Sequence, residues 1–277
     1  MRPRLLITDL DGTLLDRNLR LDPRDVEAAR RAKAAGTLIG VATGRMYRSG
    51  LPYAQQLDTS LPLICYQGAL IQELPGEAGA GPVLLRREVP PEVSLQVLEL
   101  ARRRGYSLNV YQDDNLLVDA ITPDVEFYVG VSQIPAVVAK DPPLEERLQN
   151  GSTKLTVVVA DPDRFARALA ELIELVGAEA EVTRSLVGFC EITAKDVNKG
   201  AAVTWLCQHL GAELSQVIAM GDAPNDLPML EVAGSPVAVE GASQDVLAAA
   251  EWVSPGPGGG GLAAVVSHYH LDRPPLD

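Results

Sequence analysis

Three stretches of this 277-residue chain place chemically active side chains directly after apolar runs. Leu5–Thr8 stops at Asp9, passes Leu10 and reaches Asp11. Leu38–Ala42 stops at Thr43-Gly44. Val217–Met220 stops at Gly221-Asp222. Each run is short, continuous and apolar, the pattern of a strand covered on both faces. In an open parallel sheet, ligands bind at the carboxyl ends of the strands. If these strands are neighbours, residues over 200 positions apart share one crevice.

Taken singly, each feature has an ordinary explanation. An Asp after a strand forms turns or caps helices, Thr43 could be a cap, and Gly-Asp is a turn dipeptide. Four such features on three strand ends argue for a common purpose. Asp9 and Asp11, one residue apart near a strand end, face the same side. Held close and partly buried, they repel unless a cation lies between them or one stays protonated. Magnesium takes oxygen ligands and typically uses one or two carboxylates together with substrate phosphate. Asp9 and Asp222 can supply the carboxylates. A backbone carbonyl at Asp11 would leave that side chain to carry a proton. One Asp would then attack and the other would move the proton. Lys199, in Asn198-Lys199-Gly200 at a helix start, stands where the helix dipole favours an anion over a cation. A solvated lysine is the ordinary reading. Beside a phosphate site it would bind phosphoryl oxygens.

The elements that must hold these residues come in two styles. Asp22 as N-cap and Pro23 at the first helical position start a helix that Gly36 ends. A helical stretch and a run at Leu61–Tyr66 follow the second strand. This strand–helix alternation implies parallel pairing with right-handed crossovers. The style resumes near Asn198, where Val203, Leu206, Cys207 and Leu210 form a helical stripe closed by Gly211. Short strands near Val237 and Trp252 and a last helix from Leu262 complete it. Between them, Tyr106–Tyr111 and Asn115–Asp119 read as an antiparallel pair around Gln112-Asp113-Asp114. Leu155–Ala160 is a strand, and Glu181–Leu186 and Gly188–Thr193 are two more. Pro162–Val176 is an amphipathic helix with Phe165, Leu169, Leu172, Ile173 and Val176 on one face. The fold class is α/β: a Rossmann-like parallel-sheet core, 1–86 with 192–277, carrying an inserted α+β unit, 87–191.

Composition narrows the partners. Hydrophobic residues make up 47%, enough for a sizeable core, while aromatics are only 4%, so Leu, Val, Ile and Ala must build it. The net charge of −13 repels nucleic acid and anionic membrane surfaces. Cys65, Cys190 and Cys207 are scattered, with no CxxC pair, and read as small buried hydrophobes. No run approaches membrane-spanning length or a signal peptide, which implies a cytoplasmic protein. Gly256-Pro-Gly-Gly-Gly-Gly261 matches GxGxxG literally, but no second strand with an acid follows, so it reads as a flexible loop. His268 and His270 lack a third ligand and read as solvated.

DLDGT at 9–13, TGR at 43–45, Lys199 and GDAPND at 221–226 resemble the four signature motifs of the haloacid dehalogenase superfamily of phosphohydrolases. The large insert and the GDxxNDxPML run ending at Leu230 resemble its Cof-type, sugar-phosphatase-like branch. The resemblance spans essentially the whole chain. It implies that Asp9 is a nucleophile forming an aspartyl-phosphate and that Asp11 is the acid and then the base. It implies that Thr43 and Lys199 hold the phosphoryl group, with backbone amides near Leu10 and Gly44. Asp9, the Asp11 carbonyl and Asp222 would bind magnesium. Asn225 and Asp226 would orient phosphate, Lys199 or metal-bound waters, with Arg45 in support. The insert would serve as a cap, a lid whose loops choose the leaving group. Two departures stand out: Gln67-Gly68-Ala69 replaces the family's Asn-Gly-Ala, and Glu240-Gly241-Ala242 its Gly-Asn-Ala.

The resulting expectation is a magnesium-dependent phosphohydrolase acting on a small phosphorylated metabolite. Sugar phosphates come first, then flavin mononucleotide and pyridoxal phosphate. No nucleic-acid or membrane partner is expected, and the chain is a monomer or homodimer. A phosphosugar mutase would use the same Asp pair. A phosphate-binding regulator without turnover is a third reading, against which every catalytic position is occupied.

Overall fold

Each apolar run that ends in a carboxylate forms a strand in the computed structural model, which describes residues 5–77, 79–184 and 188–273. The first segment contains β1 (Leu5–Thr8), α1 (Pro23–Ala34), β2 (Leu38–Val41), α2 (Tyr47–Gln56), β3 (Leu63–Cys65), β4 (Leu70–Gln72) and β5 (Val83–Arg86). The middle contains α3 (Pro91–Arg104), β6 (Ser107–Gln112), β7 (Asn115–Val118), α4 (Pro123–Ser132), β8 (Ala136–Val138) and α5 (Leu144–Arg147). It continues with β9 (Lys154–Val158), α6 (Pro162–Val176), β10 (Ala180–Arg184) and β11 (Phe189–Ala194). The last segment contains α7 (Lys199–Leu210), β12 (Val217–Gly221), α8 (Leu227–Val232), β13 (Ser235–Val239), α9 (Gln244–Ala249), β14 (Trp252–Ser254) and α10 (Gly261–His268).

The chain divides into two compact units, residues 1–85 with 198–277, and residues 86–197. The division at 197/198 differs from the 191/192 boundary read from the sequence. A cut there would split β11, which pairs with β10 over its whole described register and with β9 from Phe189 to Ile192.

The first unit is built on a parallel sheet of order β14-β13-β12-β1-β2. Thr8 pairs with both Met220 and Val41, so Asp9, Ala42 and Gly221 stand level at the carboxyl edge of the sheet. Leu5 and Ile7 of β1 and Val217 and Ala219 of β12 pack with Val203, Leu206 and Cys207 of α7 and Met229 and Leu230 of α8. Each buried Leu, Ile, Val or Met among them contributes roughly 1.5–3 kcal/mol. The stripe expected on α7 includes Leu210, which is exposed. It lies a turn past Cys207, next to the left-handed Gly211 that ends the helix.

The run at 61–66 follows β2 in parallel as expected, through the bridge Ala42↔Ile64 and the Thr43 amide donating to the Ile64 carbonyl at 2.9 Å. The chain then reverses, and β4 pairs antiparallel with β3 in a three-stranded sheet of order β3-β4-β5. The reversal is local: Tyr66 and Gln67 both adopt left-handed backbone (φ 51° and 60°), and Gly68 follows at φ 105°. At Gly68 a side chain would also strike the Asn198 carbonyl, 2.5 Å from an ideal Cβ.

Asp22 caps α1, its Oδ1 accepting from the Arg24 amide at 2.8 Å. Asp25, in the first turn, is buried, and its Oδ1 accepts from the Ala263 amide of α10 at 2.9 Å. Burial raises its carboxyl to about 6 from an ordinary 3.8, against the pull of the Ala263 hydrogen bond. A raised folded-state value means the protonated form contributes stability fully below pH 3.8, and that contribution is lost as pH rises through about 6. Asp25→Asn keeps the acceptor without the charge. It should raise stability at pH 7 by about 1–3 kcal/mol, and thermal melts at pH 7 and pH 4 should show the gain shrinking at the lower pH.

The second unit carries a six-stranded sheet of order β10-β11-β9-β6-β7-β8. Its pairs are antiparallel apart from β7 with β8. Asp113 and Asp114 turn β6 into β7 with left-handed backbone (φ 49° and 56°), a conformation Asp tolerates in tight hairpins. One sheet face packs Leu108, Val110, Leu155, Val157, Cys190 and Ile192 against α3 and α6. On α6, Phe165, Ala168, Leu172 and Val176 are buried, whereas Ile173 is exposed. Ile173 sits 100° round the helix from Leu172, past the edge of the stripe. The strand read at 181–186 runs into residues 185–187, which lie outside the described residues. The sequence reading passed over α3, α4 and β8.

All three cysteines are buried. Among the described residues, no helix is long and apolar enough to cross a membrane. The 256–261 loop connects β14 to α10, and His268 stacks on Trp252 with ring centroids 4.3 Å apart.

Candidate active site

Three neighbouring strand ends and one helix start converge in the first unit. β1 delivers Asp9, β12 delivers Asp222, β2 leads to Thr43, and α7 begins with Lys199. Lys199 is fully buried, and its ammonium donates to Asp9 Oδ1 and to Asp226 Oδ1, each at 2.6 Å. A buried lysine must be paired to keep its charge. Burial works against its ionised form, but the carboxylates of Asp9 and Asp226 outweigh it and hold the group above its ordinary value. The solvated-lysine alternative is therefore excluded. The helix start that carries it is fixed by Asn198, whose Oδ1 caps the Ala201 amide at 2.8 Å.

Asp226 is also fully buried and uses both oxygens. Oδ2 accepts from the amides of Asp222 (2.9 Å) and Ala223 (3.1 Å), which pins the turn after β12. Asp222 receives the Thr13 hydroxyl on Oδ1 at 2.9 Å. Gly12 makes this approach possible. It has φ +80°, and an ideal Cβ there would lie 2.3 Å from Asp222 Oδ2. The glycine and threonine of DLDGT thus seat the acid from the other end of the chain.

Oxygens of Asp9, Asp222 and Asp226 all lie within 4.8 Å of one another, a set that could hold a metal ion. Burial pushes the Asp9 carboxyl up to about 8, with Lys199 pulling it down and Asp226 adding to the rise. Burial likewise raises Asp222 to about 6, against the Thr13 hydrogen bond. A divalent cation relieves this crowding of carboxylates, so the donor set fits one. Asp226 is the least available of the three, because its oxygens already serve Lys199 and two amides.

The Asp11 side chain is not part of this acidic group. It is half-exposed and gripped by Arg45, whose Nε and terminal nitrogen donate to its two oxygens at 2.6 Å each. Arg45 in turn donates to Ser49 Oγ at 3.1 Å, and its guanidinium lies 5.2 Å from the Tyr53 ring centre. Asp11 thus keeps its side chain apart from the cluster. Thr43 is buried and its hydroxyl oxygen accepts from the Arg45 amide at 3.1 Å, leaving the hydroxyl proton to donate. Leu10 is buried in the turn that separates Asp9 from Asp11, and Gly44 follows Thr43.

Asn225 donates to Gln67 Oε1 at 3.1 Å, joining the turn after β12 to the left-handed turn after β3. Gln67, noted in the sequence only as a departure, is therefore a structural member of the site. Thr13, Ser49 and Tyr53 were not foreseen. Thr13 lay within a quoted motif, while Ser49 had only its spacing of four from Arg45 as a signal. Glu240 lines a cavity of about 870 Å³ with Asp11, Arg17 and Gly256–Gly259.

Residues 6–266 match the model of the haloacid dehalogenase-like hydrolase family. The HMP-PP phosphatase of Cronobacter sakazakii is 30% identical over 249 residues, covering 88% of this chain and 87% of that protein. Among solved structures, TM0651 from Thermotoga maritima superposes with a TM-score of 0.85 at 28% identity, covering 100% of this chain and 99% of that one. The HAD subclass IIB sugar phosphatase BT4131 shares the fold, with a TM-score of 0.80 at 24% identity and coverage of 97% and 99%. On the family match together with this geometry, the chain belongs to the haloacid dehalogenase-like hydrolase family.

Proposed function

We propose that this chain, an enzyme of the phosphatase kind, is a magnesium-dependent hydrolase of small phosphate monoesters. Sugar phosphates are the favoured substrate class, and the reaction runs through an aspartyl-phosphate. The first unit is the hydrolase core and the second the α+β cap of its branch. The observation that carries the reading is the buried Asp9–Lys199–Asp226 chain of contacts beside Asp222, with Asp11 held separately by Arg45.

Asp9 is the nucleophile: its carboxylate oxygen bonds to phosphorus as the ester oxygen leaves. Asp11 gives that oxygen its proton, then takes a proton from the water that cleaves the acyl-phosphate and frees inorganic phosphate. Lys199, Thr43 and the amides near Leu10 and Gly44 hold the phosphoryl oxygens, and Asn225 borders them. Phosphoryl transfer depends chiefly on such positioning and charge stabilisation. Asp9, the Asp11 carbonyl and Asp222 would hold magnesium, which when bound offsets phosphoryl charge. The relatives' names, an HMP-PP phosphatase and a sugar phosphatase, favour a small phosphorylated metabolite.

A panel of phosphorylated metabolites, assayed for phosphate release with magnesium and with chelator, tests this. Release should require magnesium. Saturating magnesium at about 100 times its Kd should stabilise the fold by about 2.7 kcal/mol. No release from any monoester, together with melting unchanged by chelator, would reject the reading.

A further inference from the structure

The cavity of about 870 Å³ that Asp11 shares with Glu240 carries charges that the hydrolytic reading leaves unused. Its size lies in the range of pockets that take small ligands. Its lining comes from two braced segments of the first unit, the turn after Asp11 and the ends of β13 and β14. In the turn, Asp16 Oδ1 accepts from the Asn18 and Arg20 amides at 2.8 and 2.9 Å, and the Asp16 amide donates to the Arg20 carbonyl at 3.1 Å. After β13, the Glu240 amide donates to the Ser254 carbonyl at 2.9 Å. Gly256 lies against it, so close that an ideal Cβ would stand 2.8 Å from the Glu240 carbonyl oxygen. Arg24 joins the glycine loop to the start of α1, donating to the Gly258 carbonyl at 3.1 Å and to Asp22 Oδ2 at 2.6 Å.

The ionisable residues of the lining are Asp11, Asp16, Arg17 and Glu240. Arg45 already neutralises Asp11, and Asp16 already serves two amides. Glu240 and Arg17 are exposed, and among the described residues their side chains make no hydrogen bond or ion pair. With Asp11 matched by Arg45, Asp16 and Glu240 face one guanidinium, so the lining is negative on balance.

We propose that this cavity receives the leaving group and that Glu240 selects one bearing an ammonium, an amino sugar. The inference rests on the hydrolytic reading, in which Asp11 protonates the leaving-group oxygen. A group that meets Asp11 then extends into the space Asp11 lines. An ionised Glu240 only accepts, and an ammonium supplies the donors and the opposite charge. Arg17 only donates, and sugar hydroxyl oxygens accept from it. A second phosphate or a carboxylate on the sugar would meet like charge at Glu240 and Asp16.

The test is kcat/KM, with magnesium, for glucosamine and mannosamine 6-phosphates against glucose and mannose 6-phosphates, which place a hydroxyl where the amine stands. At least one amino sugar should be preferred to its hydroxyl counterpart by about fivefold, the upper range for an exposed charge pair. High salt, which screens such pairs, should shrink the preference. Glu240→Gln keeps the shape and removes the charge. It should erase the preference and leave turnover of p-nitrophenyl phosphate, which has no amine, at the parent rate. Turnover of p-nitrophenyl phosphate with no amino-sugar preference overturns this inference and leaves the hydrolytic reading standing, and so does a preference that survives Glu240→Gln. Turnover of no monoester at all, p-nitrophenyl phosphate included, overturns both.

Discussion

Asp9→Asn should abolish phosphate release, with a loss of about 10⁴-fold or more, the scale on which removing a covalent nucleophile is felt. The amide cannot attack phosphorus, and it offers a metal less charge. The fold should survive. Lys199 keeps the Asp226 carboxylate at 2.6 Å, and an amide oxygen at position 9 can still accept from the ammonium. Burial raises the Asp9 carboxyl above its ordinary value, against the pull of Lys199, so removing its charge relieves a desolvation cost. Melting of the metal-free variant should therefore stay within a few degrees of the parent, and magnesium should stabilise it less. Turnover above one-hundredth of the parent rate would remove Asp9 from the role of nucleophile.

Asp11→Asn should cost about 10²–10⁴-fold, the usual size of an acid–base contribution. Asp9, Lys199, Asp222 and Asp226 are untouched, since the Asp11 side chain contacts Arg45 instead. Chemistry should therefore stall in a defined place. With p-nitrophenyl phosphate, whose leaving group needs little protonation, the first step should proceed. The second should fail for want of a base. Rapid mixing should then show a burst of nitrophenolate and a phosphoenzyme that accumulates. A phosphoenzyme formed by Asp9→Asn and not by Asp11→Asn would show the two roles reversed.

Much of this was open to a reader of the sequence because it depends on local pattern. The runs before Asp9, Thr43 and Asp222 are short, continuous and largely apolar, the pattern of a strand buried on both faces. The Asp22-Pro23 start and the Gly211 stop of two helices rest on capping and backbone rules that need no tertiary context. The division into a parallel and an antiparallel style followed from the same periodicities. Residue 173 was misplaced because two adjacent apolar residues on a helix cannot both lie at the centre of one stripe. The reversal at 66–68 was missed because two of its three left-handed residues are not glycine.

The carboxylates, the lysine and the expectation of one shared crevice were therefore determined by the sequence itself. Which of them touch was decided only by the tertiary structure. Lys199 chooses Asp9 and Asp226, Arg45 takes Asp11, Thr13 takes Asp222, and Gln67 takes Asn225. The partners are separated by 190, 27, 34, 209 and 158 positions. No local rule carries such pairings; they depend on strand order and register, which set which loops meet at the sheet's carboxyl edge.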